Sequence, residues 1–188
     1  MNHTTETPAL PDKKYNIIYA DPPWQYNARN NPHTKFSRGV HGHYPTMTTE
    51  SICELPVSSI ADDNCALVLW ITWPRLLDGI QVLQAWGFKY VTLAFNWFKT
   101  NQDGSPFFGV GYYSKSNSEV ALLGIKGRMK PVSNYVSQVV ISAREKHSKK
   151  PDSVRDKIVE LFARSAAEGW DCWGNEAPNT EEEDAWML

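Results

Sequence analysis

The sequence predicts an α/β fold: a mainly parallel sheet covered by helices on both faces, in one domain of 188 residues. Three observations predict it. Short apolar runs of strand length recur along the chain, stretches of helical spacing fall between them, and no internal repeat or linker-like segment divides the sequence. Strands separated by helices favour parallel neighbours, because a helical crossover brings the chain back to the same end of the sheet. The length suffices for a substantial core.

The first element is Tyr15–Ala20, an apolar run that reads as a short buried strand and ends on Asp21-Pro22-Pro23-Trp24. A long loop is expected to about residue 47, after which Thr48 or Thr49 caps a short helix through Cys53. Cys65–Ile71 is an apolar run and hence a central strand. Pro74 opens a helix in which Leu76, Leu77, Ile80, Leu83 and Gln84 keep helical spacing, and Gly87 ends it. Tyr90–Phe98 reads as a strand, a Gly/Ser/Asn-rich loop covers 101–118, and Val120–Ile125 and Val136–Ile141 read as further strands. Residues 1–14 are polar and 177–188 acidic. Both are expected to be flexible tails, leaving 15–176 as the folded domain.

Composition excludes several classes. No apolar run reaches membrane-spanning length and no basic-then-apolar segment opens the chain, so a soluble, cytoplasmic protein is expected. Cys53, Cys65 and Cys172 are odd in number and unpaired by spacing, as in a reducing compartment. His41 and His43 lack nearby cysteines, so no metal site is expected. Eight tryptophans and eight tyrosines are many for this length; some fill the core, and the excess points to stacking surfaces.

A net charge of −2 argues against non-specific nucleic-acid binding, but the charge is unevenly spread. Pro22 to Thr49 holds no acid while carrying Arg29, His33, Lys35, Arg38, His41 and His43. Lys126 to Lys157 sets nine Lys/Arg against three acids, Glu145, Asp152 and Asp156, whereas Glu181-Glu182-Glu183-Asp184 is wholly acidic. Together these match a local phosphate-binding surface on a near-neutral protein. Either basic stretch alone also reads as a solvated charged face.

Asp21-Pro22-Pro23-Trp24 carries the chemistry. It places a carboxylate at the carboxyl end of a strand, where open α/β sheets bind ligands. Two prolines hold the backbone extended and remove two N–H donors, leaving carbonyl oxygens to accept, and a flat indole follows. A carboxylate, a bare carbonyl and an aromatic plate suit the exocyclic amine of a heterocycle such as adenine. That amine is a poor nucleophile because its lone pair is delocalised into the ring. Hydrogen bonds to the Asp21 carboxylate and the Pro22 carbonyl would localise the pair, while stacking on Trp24 would hold the ring in line. A base inside a duplex must be flipped out to reach such a pocket. Tyr26 and Tyr44, with Arg29, Lys35 and Arg38, are placed to hold the flipped nucleotide; ordinary packing serves the two tyrosines as well. Taken alone, Asp-Pro-Pro also reads as a plain turn at a strand end.

Eight blocks in order resemble the MT-A-seventy family of N6-adenine methyltransferases, over about Tyr15 to Glu176. They are Ala20-Asp21-Pro22-Pro23-Trp24, Tyr44-Pro45-Thr46-Met47, Leu67-Val68-Leu69-Trp70, Trp97-Phe98-Lys99-Thr100-Asn101, Gly124-Ile125-Lys126-Gly127, His147-Ser148-Lys149-Lys150-Pro151-Asp152, Glu160-Leu161-Phe162-Ala163-Arg164 and Gly169-Trp170-Asp171-Cys172-Trp173-Gly174-Asn175-Glu176. The resemblance implies a Rossmann-like class I methyltransferase sheet with circularly permuted motif order, the catalytic motif preceding the donor-binding motif. It implies S-adenosylmethionine as cofactor, with Asp21 between donor and target amine. Pro22, Pro23 and Trp24 complete the catalytic motif. Lys150 would pair with the methionine carboxylate, and Arg164, Asn175 and Glu176 would hold the ribose and adenosine. Lys99 and Lys126 join the candidate substrate contacts. Outside the resemblance, Lys150 reads as an exposed lysine at a helix start and Arg164 as a surface ion pair.

DNA is the partner that the resemblance favours, in phage or bacterial restriction-modification style, with RNA as the alternative. An inactive nucleic-acid-binding subunit is a third reading, and relatives that pair imply a homodimer. Two departures stand out. Only Ser153–Val159, seven residues, separate the Lys-Pro-Asp and Glu-Leu-Phe blocks, where relatives fit a helix, a turn and a strand. Val154, Ile158, Leu161 and Phe162 lie at helical spacing, so one helix running straight through would replace that strand. Ser165-Ala166-Ala167 also stands where relatives often carry larger polar groups.

Overall fold

The computed structural model describes residues 10–25, 46–111, 113–145 and 149–162. The elements are β1 (Tyr15–Ala20), α1 (Thr49–Cys53), α2 (Val57–Ile60), β2 (Ala61–Ile71), α3 (Leu76–Ala85), β3 (Lys89–Thr100), β4 (Ser118–Lys126), β5 (Val139–Ala143) and α4 (Ser153–Phe162). Local chemistry accounts for their ends. Thr48 is the N-cap of α1, its side chain accepting from the Ser51 N–H. A 3₁₀ turn at Trp73–Arg75, with Pro74 inside it, leads into α3, and Gly87 at φ +86° lets the chain leave that helix.

The strands form one sheet in the order β1-β2-β4-β3-β5. β1 pairs parallel with β2 and β3 with β5, whereas β4 runs antiparallel to both of its neighbours, β2 and β3. Four strands thus share a direction, and the opposed β4 sits in the middle. This refines the expectation of a mainly parallel sheet: two of the four pairings are antiparallel. The cause is the 101–117 connection, whose described residues hold no helix, so the chain turns back beside β3 instead of crossing over.

Strand alternation splits the core into two layers. On one face Ile18, Ala20, Leu67, Leu69 and Leu122 meet Ile52, Val57, Val82 and Leu83 from α1, α2 and α3, with Trp86 at the C-cap of α3. On the other, Tyr19, Val68, Trp70, Phe95, Trp97 and Val140 meet Val154, Ile158 and Phe162 of α4. Helices therefore cover both faces. In α3 the packed residues are Gly79, Val82 and Leu83, while Leu77, read as part of the apolar face, is 80% exposed. α4 runs without interruption through Glu160-Leu161-Phe162, as the short spacing allowed. Four of the five described tryptophans are buried and serve the core, whereas Trp73, Tyr90, Tyr113 and Tyr135 are exposed. Among the described residues no helix is long and apolar enough to cross a membrane. The expected tails at 1–9 and 177–188 lie outside the described residues.

Candidate active site

Four charged residues from different parts of the chain meet at the end of the sheet where β1 and β2 finish and β4 begins. Register fixes the placement: Ala20 lies opposite Leu69, Ile71 opposite Val120, and Trp97 opposite Glu119. Side chains two apart share a face. Asp21 follows Tyr19, Lys99 follows Trp97 and Glu119 precedes Ala121, and all three partners belong to the α4 layer. Lys150 enters that layer from the opposite side, immediately before Pro151 and the start of α4. The result is a cluster of two carboxylates and two ammonium groups on aromatic flooring.

Lys150, 8% exposed, donates to Asp21 Oδ2 at 2.5 Å and lies 3.6 Å from Glu119 Oε2. Its ammonium also stands 5.6 Å from the centre of the Trp70 ring. Glu119 accepts from Lys99 through Oε1, and the Lys99 ammonium lies 4.8 Å from the Trp97 ring centre. Beneath them the Tyr19 hydroxyl accepts from Trp70 Nε1 at 2.7 Å. Burial alone would discharge such groups. It pushes Lys150 down, but the Asp21 and Glu119 carboxylates outweigh it and hold the ammonium above the ordinary lysine range. It likewise pushes Glu119 up, but Lys150 and Lys99 reverse the effect and keep its carboxyl below the ordinary glutamate range. For the Tyr19 phenol burial wins: it drives the group well up against the lowering effects of the Trp70 hydrogen bond and of Lys150, and the phenol stays neutral.

The turn after β1 is clamped and not open. The Trp24 N–H donates to the Pro22 carbonyl at 2.8 Å and the Met47 N–H to the Pro23 carbonyl at 2.8 Å. Gln25 N–H donates to Met47 O at 3.0 Å, and Trp24 Nε1 to Trp70 O at 3.0 Å. Two expectations change accordingly. The proline carbonyls are not bare, although each oxygen keeps a second lone pair. The Trp24 ring, 5% exposed, packs in the core and holds the loop to the end of β2 instead of presenting an open plate.

Of the predicted site residues, Asp21, Lys150 and Lys99 come together. Lys126 does not: it lies at the far end of β4, opposite Cys65, and donates to the Ala61 carbonyl at 3.0 Å. It stands six residues along β4 from Val120, about 20 Å. Tyr26, Arg29, Lys35, Arg38, Tyr44, Arg164, Asn175 and Glu176 lie outside the described residues. Glu119 was missed. An acid directly before an apolar strand is a weak signal, and its meaning depends on β4 running backwards, which brings its first residues to the carboxyl ends of the others. Within the second basic stretch, Lys149 is bridged to Glu145 and Asp152, Lys150 is buried, and Arg144 covers the Phe107 ring.

Chemically, this set suits a zwitterion. A buried ammonium offers a seat to a carboxylate, and two carboxylates offer seats to neighbouring cations. No group of three or more His, Cys, Asp or Glu among the described residues is arranged to hold a metal.

Residues 15–176 match the model of the MT-A70 family, and the chain belongs to that family. Among its relatives is the type II methyltransferase M.MunI of a Mycoplasma species, 34% identical, with 93% of this chain and 82% of the relative aligned. The N6-methyladenosine RNA methyltransferase MTA1 of Pyricularia oryzae is 24% identical across 93% of this chain and 50% of its own. The human N(6)-adenine-specific methyltransferase METTL4 is 28% identical across 87% of this chain and 38% of its own. The chain thus spans most of the first relative and half or less of the other two.

Proposed function

We propose that this chain transfers a methyl group from S-adenosylmethionine to the N6 amino group of adenine in DNA. The observation that carries the reading is Asp21, at the carboxyl end of β1, paired with the buried Lys150. S-adenosylmethionine, when bound, supplies a methyl group made electrophilic by a sulfonium. The residues present fit it. Lys150 would take the donor's carboxylate, and Asp21 would face the cationic end and the incoming amine. Arg164, Asn175 and Glu176 would hold the ribose and adenosine, in a permuted order with the catalytic motif first. Asp21 accepting from the amine would orient its lone pair, and the clamped Pro-Pro turn holds the backbone that follows Asp21 while leaving its side chain able to rotate.

Membership of the MT-A70 family supports the amine as target, as do relatives named for N6-methyladenosine and N(6)-adenine. DNA is favoured because the relative aligned over most of both lengths is a type II methyltransferase, whereas the one named for RNA is aligned over half of its own. The test offers labelled S-adenosylmethionine with DNA and with RNA, then identifies the modified nucleosides by mass spectrometry. N6-methyladenine in DNA is the expected product. Label found only in RNA overturns the choice of substrate, and no label with no donor binding overturns the activity.

A further inference from the structure

Asp21 has two duties that conflict. It is the nearest counter-ion of Lys150, and the proposed reaction needs it to turn toward the target amine. A buried ammonium that loses its full counter-charge is strongly disfavoured, so something else must hold Lys150 when Asp21 turns. Glu119 is built for that. It lies on β4, outside the Asp21 turn, with Oε2 3.6 Å from Lys150 Nζ. Its other oxygen is held by Lys99, which is itself seated over Trp97. The β3–β4 ladder sets Glu119 opposite Trp97, so this carboxylate is fixed by two strands and an ion pair. Among the described residues, the charged and titratable groups around Lys150 include Asp21 and Tyr19 from β1 and its turn and Glu119 from β4, with Lys99 of β3 behind Glu119 and Arg155 of α4 facing Tyr19.

We propose that Glu119, clamped by Lys99, is a positioning residue: the standing counter-ion that keeps Lys150 charged and in place while Asp21 leaves it for the target amine. The inference rests on the methyl-transfer reading and assigns two further residues to its donor half-site. Neither touches the reacting atoms. Lys99 accordingly serves the site through Glu119 and not as a direct substrate contact.

The test compares the full chain with Glu119→Gln, which keeps shape and removes charge, and with Glu119→Asp, which keeps charge. Lysine-labelled protein without donor is titrated by NMR, with the Lys150 signal assigned from Lys150→Arg. Donor binding is measured in parallel by calorimetry across pH. In Glu119→Gln, Lys150 is expected to titrate at least about one unit lower than in the wild type. Donor Kd should weaken about tenfold or more, with the loss growing toward alkaline pH, and Glu119→Asp should restore most of it. A Glu119→Gln protein that melts earlier while Lys150 titration and donor Kd stay within about twofold overturns the proposal. Should Glu119→Gln fail to fold, Lys99→Met decides. It leaves Glu119 wholly to Lys150, which must then titrate no lower than in the wild type, and a lower midpoint overturns the proposal. A wild-type chain that binds no S-adenosylmethionine overturns the methyl-transfer reading instead, while the NMR titration still decides the Glu119–Lys150 coupling.

Discussion

Asp21 and Trp24 stand three residues apart and do different work. Asp21 contributes charge at the cluster, whereas Trp24 contributes a hydrogen bond and apolar bulk that hold the turn to β2. Asp21→Asn keeps the shape and removes the charge. We expect transfer to fall about 10²–10³-fold or more, the cost of losing one preorganised electrostatic contact. Donor binding should remain measurable, because Glu119 still faces Lys150. Single-turnover transfer with labelled donor, alongside calorimetry, checks both halves; a variant within tenfold of the wild-type rate sinks the role assigned to Asp21. Trp24→Phe keeps an aromatic side chain but loses part of the buried indole and leaves the Trp70 carbonyl without its indole donor. That should cost about 1–3 kcal/mol in urea unfolding, and an unchanged midpoint would show the bond to be idle.

At the scale of elements, the close approach of α3 to the sheet makes a sharper test than its apolar residues do. A Cβ at Gly79 would lie 2.6 Å from Ile71 Cγ2 and 3.2 Å from Leu122 Cδ1. Gly79→Ala gains about 1 kcal/mol of helix propensity but pushes α3 off β2 and β4, and overpacking of that kind costs about 1–3 kcal/mol. Packing wins, so net destabilisation is expected; a rise in melting temperature would refute that geometry. α4 is tested by Ile158→Ala, which removes a fully buried side chain from the layer beneath the cluster at a cost of about 2–5 kcal/mol. The elements themselves were legible because their signals are local: an apolar run for β1, a threonine cap for α1, a proline and a glycine bracketing α3, and helical spacing for α4. The direction of β4 was not. It depends on the 101–117 connection holding no crossover helix, and a Gly/Ser/Asn-rich stretch does not by itself say which neighbour the next strand will choose.

Across the whole molecule, that one direction decides how much of the site could be read. Asp21 was legible because its motif carries its chemistry locally, whereas Lys150 came only through the family resemblance, its local sequence reading as an exposed lysine although it is buried. Glu119 was not legible, nor was its pairing with Lys99, read from the sequence only as a substrate contact, since that pairing requires β4 to start where β3 ends. Lys126 was read toward the substrate for the same reason, and the reversed strand carries it to the opposite end of the sheet. The cluster also sets how the fold responds to pH. Glu119 titrates below the ordinary glutamate value, so its stabilisation is present above about pH 4.3 and is lost as pH falls through the depressed value. Lys150 titrates above the ordinary lysine value, so its stabilisation is intact below about pH 10.4 and is lost as pH rises through the elevated one. Stability contributed by the cluster should therefore be level between about pH 5 and pH 10 and fall on both sides. Glu119→Gln removes the titrating carboxyl and makes the acid-side fall shallower. Its stability should lie below the wild type at neutral pH and converge on it in acid. Urea unfolding at a series of pH values measures this directly: a gap between the two proteins that stays constant into acid would mean that Glu119 contributes shape alone, and not charge, to the folded chain.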